Sequence, residues 1–141
     1  MDVTDELIKL VKKQVEVENI NVKEVSETEK IIGNAAAKLL LHIIKMDSQK
    51  HAEVLDGVLE VVGKIPPSGN LWLHKLESYV DPLAVKKDLE RHKQREAQMI
   101  VYVEKEIKQT KDEGLKTLLQ YIVEEEKKHH QMLETIIKHT A

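Results

Sequence analysis

Apolar side chains recur at every third or fourth position through most of this chain, and few residues interrupt that period. The first stretch carries Leu7, Leu10, Val11, Val15, Val22, Val25 and Ile32. The second carries Leu40, Leu41, Ile44, Val54, Leu55 and Val58, the third Val85, Leu89, Met99, Val103 and Ile107. The fourth has Leu118, Leu119, Ile122, Met132, Leu133 and Ile136. Each is the stripe of an amphipathic helix, and no stretch alternates with the period of two that a half-buried strand requires. Breakers divide the pattern. Pro66-Pro67-Ser68-Gly69-Asn70 is the strong one, and Asp81-Pro82 after it reads as an N-cap followed by proline at the first helical position. Gly33-Asn34 and Asp112-Glu113-Gly114 are weaker breaks, with Asn34 and Asp112 as caps. The expected helices cover 3–32, 34–64, 82–111 and 113–139. The expected fold is all-α: one domain over 1–141, an antiparallel four-helix bundle of two hairpins joined by one long crossover at about 65–81.

Composition narrows what such a bundle can do. Charged residues make up 33% of the 141, yet the net charge is only −3, which suits a solvated surface and gives no basic patch for nucleic acid. Apolar runs such as Leu39-Leu40-Leu41 are far too short to span a bilayer, and Met1-Asp2-Val3-Thr4-Asp5-Glu6 lacks the basic start and apolar stretch of a signal peptide. The expectation is a cytoplasmic protein with neither nucleic-acid nor membrane partners. There is no cysteine, so disulfides, iron–sulfur clusters and thiolate-bound iron are excluded for this sequence.

The two halves match without a gap when residue i is set against residue i+78. Glu18 falls on Glu96 and His51 on His129. Val25/Val103, Leu40/Leu118, Leu41/Leu119, Ile44/Ile122, Lys50/Lys128 and Leu55/Leu133 are identical pairs, and the caps Asn34 and Asp112 coincide. Matching polar positions on the apolar face, together with apolar ones, point to an internal repeat.

Those polar positions are where chemistry enters. Gln14 and Glu18 interrupt the stripe of the first helix, and His92 and Glu96 that of the third. Asp47, Ser48 and His51 interrupt the second, and Glu125, Glu126 and His129 the fourth. A lone buried carboxylate costs several kcal/mol, about the same order as a whole domain's margin, so each needs a partner. Residues three apart on a helix share a face, so Glu126-x-x-His129 can aim a carboxylate oxygen and an imidazole nitrogen at one centre, with Glu18 and Glu96 closing it. Oxygen-rich sites with a few imidazoles suit iron or manganese, and zinc is compatible.

The segment from Glu124 to Leu133, EEEKKHHQML, resembles the last-helix motif of rubrerythrin-related proteins of the ferritin-like superfamily. Met46 to Leu55, MDSQKHAEVL, is similar to their second-helix motif. The family pattern is one Glu on helix 1, Glu-x-x-His on helix 2, one Glu on helix 3 and Glu-x-x-His on helix 4. Carried over, it falls on Glu18, His51, Glu96, Glu126 and His129. The resemblance implies a di-iron carboxylate centre reducing O2 or peroxide, with electrons from a separate donor. One position departs: the helix-2 glutamate falls on Ser48, a poor ligand. Asp47, four residues before His51, or His92, one turn before Glu96, would have to substitute, and either change leaves an altered or partly vacant site. The alternative is a bundle without turnover, holding one metal or none. Long amphipathic helices make a homodimer the expected assembly in either case. Single glutamates and histidines on charged helices are more often solvated or hydrogen-bonded than ligating. On that footing His42 and His74 read as surface or linker residues, and His130 as outward-facing or an outer-shell contact. His139 reads as part of a fraying terminus, and Trp72 as an anchor for the crossover.

Overall fold

In a computed structural model of the chain, residues 3–62, 64, 70–73 and 81–140 are described. Most of the Pro66–Asn70 breaker, His74 and Tyr79 lie outside them. The all-α class expected from the periodicity is what is found. Four helices follow one another, α1 (Val3–Ile31), α2 (Ala35–Val62), α3 (Pro82–Gln109) and α4 (Glu113–Thr140), with a 3-10 turn at Leu71–Leu73. Among the described residues there is no strand, and no helix is long and apolar enough to cross a membrane. Contacts within the chain divide it into two compact units, Met1–Leu71 and Trp72–Ala141, each built on one helical hairpin. Helix α1 packs on α2, and α3 on α4.

The caps explain where the helices begin. Asn34 Oδ1 accepts from the Ala37 amide at 3.0 Å, and Asp112 Oδ1 from the Leu115 amide at 2.7 Å. Each satisfies one of the amides that the first helical turn leaves unpaired. Asp81 does the same for Leu83 at 3.0 Å, with Pro82 at the first helical position, where it gives up no hydrogen bond. Gly33 does not have a positive φ, so the break between α1 and α2 rests on the Asn34 cap rather than on glycine's conformational freedom.

Both hairpins are antiparallel, since cross-helix partners move in opposite directions along the two helices. In the first, Glu18 meets His51, Asn21 meets Ser48, and Glu29 meets His42. In the second, Glu96 meets His129 and Lys93 meets Glu134. The buried apolar residues sit along these seams: Val11 and Ala52 in the first unit, Val103 and Val123 in the second. The repeat of 78 residues is visible in the contacts. Asn34 and Asp112 cap equivalent turns, Lys50–Asp47 and Lys128–Glu125 are equivalent ion pairs, and Glu18–His51 and Glu96–His129 are equivalent cross-helix pairs.

Candidate metal centre

Glu126 and His129 stand one turn apart on α4, and Glu96 faces them from α3. His129 Nδ1 lies 3.7 Å from Glu96 Oε1 and 3.9 Å from Glu126 Oε1. One ligand atom from each of the three falls within 4.8 Å of the others. The two glutamates are largely shielded, with side chains 17% and 16% exposed, and His129 is half-exposed. A groove of about 410 Å³ opens beside them, lined by His92, Arg95, Met132, Leu133 and Ile136 as well as Glu96 and His129. A small ion or molecule can therefore reach the cluster from solvent.

The electrostatics of this cluster are unsettled. Glu96 Oε2 and Glu126 Oε2 are shut off from water and, as carboxylates, have no hydrogen-bond donor. Such groups are uncommon in folded proteins because each forfeits its hydration without replacement. One response is protonation. The Glu126 carboxyl is held above the ordinary glutamate range, chiefly by the hydrogen bond it shares with Glu96 once it carries a proton. Burial and the Glu96 charge add to this, and His129 opposes it. A cation is the other response, since one positive charge between the two oxygens replaces the shared proton. The donor set of two carboxylates and an imidazole fits a divalent ion of the iron, manganese or zinc type.

The first hairpin treats the matching positions differently. Glu18 Oε2 and His51 Nδ1 are paired at 3.0 Å. Ser48, at the position equivalent to Glu126, is buried at 5% exposure, and its Oγ accepts a hydrogen bond from Asn21 Nδ2 at 2.9 Å. Glu18 and His51 thus form a pair rather than a cluster of three. Asp47 is engaged with Lys50 at 3.3 Å and is not among the three converging residues. His92 is exposed and lines the groove next to Glu96, but is not one of the three converging residues. His130 turns to Glu134, 3.3 Å away along α4.

Two features were missed by reading the chain alone. The first is Glu29, which joins α1 to α2 by accepting from Lys45 at 3.2 Å while its other oxygen pairs with His42 at 2.9 Å. Burial alone would raise its pKa, yet Lys45 and His42 outweigh that and hold it below the ordinary range. The equivalent residues of the second hairpin, Ile107, Gln120 and Val123, carry no charge, so the repeat offered no signal for it. The second is His139, which is helical, bonds the Thr135 carbonyl at 2.9 Å and stacks on Trp72 with ring centroids 4.2 Å apart. Trp72 itself is half-exposed, and its ring lies against His139 near the end of α4. No protein-family model, curated protein or solved structure matches the chain.

Proposed function

We propose that this is a ferritin-like metal-binding protein whose cation is held by Glu96, Glu126 and His129, with iron as the expected ion and manganese or zinc as alternatives. The observation that carries the reading is the pair of buried, donor-less oxygens, Glu96 Oε2 and Glu126 Oε2, on two carboxylates that converge with the His129 imidazole. Binding competes with protonation of Glu126, whose carboxyl is held above the ordinary glutamate range, and needs an unprotonated nitrogen on His129. Uptake is therefore favoured as pH rises and releases protons. Three protein ligands leave further coordination positions for water or a small oxidant entering through the groove. A redox-active ion there would supply one-electron chemistry toward O2 or peroxide, drawing on a separate electron donor because the sequence has no cysteine with which to build its own relay.

A second reading, a single bound ion without turnover, is favoured by one observation. Ser48 supplies no carboxylate and its hydroxyl is already occupied by Asn21. Titration of the chelator-treated protein with Fe(II), Mn(II) and Zn(II), read by calorimetry, tests metal binding itself. Saturable uptake lost in His129→Ala at unchanged helicity is expected; uptake unaffected by that change overturns the assignment. Oxygen or peroxide consumption by the iron-loaded protein with a chemical reductant separates the two readings.

A further inference from the structure

The internal repeat supplies its own control for the metal centre. Glu18, Ser48 and His51 correspond to Glu96, Glu126 and His129, and Asn21 corresponds to Met99. Two of the three ligand positions are kept in the first hairpin, and their geometry is kept as well: the imidazole Nδ1 faces the carboxylate at 3.0 Å there and at 3.7 Å in the second hairpin. What differs is a coupled change. Where the second hairpin has an acid on α4 and an apolar methionine on α3, the first has a hydroxyl on α2 and an amide on α1, bonded to each other at 2.9 Å. Ser48 is the only buried polar residue among those described. A buried hydroxyl of this kind is tolerated because the amide satisfies it, and the amide keeps its place because the hydroxyl accepts from it.

We infer that the Asn21–Ser48 pair is a plug that limits the chain to one cation, making Asn21 a determinant of stoichiometry although it would touch no metal. The inference rests on the proposed site in the second hairpin. Each part of the plug acts differently. Ser48 removes an anionic ligand. Asn21 brings a polarised N–H, a donor with no affinity for a cation, to the place where the third ligand atom would stand. A carboxylate restored at position 48 would be drawn onto that N–H, whereas Met99, at the equivalent position, offers no such donor and Glu126 Oε2 has none, and it would bind a cation more weakly than the second hairpin does. Restoring the cluster therefore requires both exchanges, and the first hairpin would then hold Glu18, His51 and the new carboxylate by itself.

The test compares the full-length wild type with Asn21→Met, Ser48→Glu and the double variant. Bound Co(II) and Zn(II) are counted by elemental analysis after equilibrium dialysis, and helicity is followed by circular dichroism. One ion per chain is expected for the wild type and for Asn21→Met, and two for the double variant. Ser48→Glu alone should bind its second ion at least about tenfold more weakly than the double variant, in the range by which neighbouring hydrogen bonds tune metal ligands. If Ser48→Glu costs helicity, Ser48→Asp with and without Asn21→Met replaces it, with the same expectation. Two ions on the wild type, a double variant still limited to one, or equal second-ion affinity with and without Asn21→Met would each overturn the plug. A wild type that binds no ion would instead overturn the metal centre on which it rests.

Discussion

Replacing Glu126 with glutamine should change sign in its effect on stability according to whether a cation is present. Without one, the ligand atoms of Glu96 and Glu126 lie within 4.8 Å of each other. Two unit charges at that separation repel by about 3.5 kcal/mol at an effective dielectric of 20 and by about 0.9 kcal/mol in water. The side chains are mostly but not wholly shielded, and His129 offsets part of the repulsion, so about 1 kcal/mol is expected. Glutamine removes the charge and offers Glu96 a donor, so chelator-treated Glu126→Gln should melt roughly 3–5 °C above the wild type at neutral pH. The pH dependence follows from the direction of the Glu126 shift. Its folded pKa is raised, so the native state holds the proton more tightly, and stability present at acid pH is lost as pH rises through the folded value. The variant's advantage should accordingly be absent in acid and develop as pH rises past the glutamate range. With a cation at a hundred times its wild-type Kd, linkage stabilises the wild type by about 2.7 kcal/mol. A variant whose Kd has risen a hundredfold gains only about 0.4 kcal/mol, so the order reverses and the wild type becomes the more stable by about 1 kcal/mol. Urea unfolding followed by circular dichroism, with chelator and with Zn(II), measures both arms. A chelated variant less stable than the wild type at pH 7 would rule out repulsion between Glu96 and Glu126, and a metal-induced gain equal in the two proteins would rule out Glu126 as a ligand.

Other consequences are checked more simply. Asn34→Ala and Asp112→Ala should each cost about 1 kcal/mol in urea unfolding, and the double variant their sum, because the caps lie in different hairpins with no shared partner. Glu29→Gln should lower the melting temperature at neutral pH. That difference should disappear as pH falls through the folded pKa of Glu29, which is depressed and so contributes only above it; melts at pH 7 and pH 3 decide this. His139→Leu should alter the emission of Trp72, the single tryptophan, since the imidazole stacked 4.2 Å away is removed. Unchanged intensity and wavelength would show that the stack does not persist in solution.

The four helices were legible because each rests on local rules. Period, proline at the first helical position and Asn or Asp caps act within a few residues, and the helix ends at Asn34, Asp81 and Asp112 are formed by the bonds those residue types make. Glu126 with His129 was legible for the same reason, since three residues along one helix fix a shared face. The repeat set Glu18 against Glu96 and His51 against His129, but it did not announce that Glu18 would pair with His51 within its own hairpin. What stayed hidden depends on a partner across the hairpin that no spacing announces. Ser48 read as a missing ligand, whereas its environment is set by Asn21, 27 positions earlier. Glu29 gave no signal in the sequence, although His42 and Lys45 pair with it from the next helix. Asp47 and His92 share faces with the candidate positions, yet Asp47 pairs with Lys50 and His92 is exposed at the groove, and neither is among the three converging residues.

The most direct measurement is the anomalous difference density of crystals grown from the metal-loaded chain, collected at the absorption edge of the bound ion. A peak is expected about 2.0–2.2 Å from carboxylate oxygens of Glu96 and Glu126 and from the Nδ1 of His129. Density at other residues alone, or none from protein that elemental analysis shows to be loaded, would contradict it.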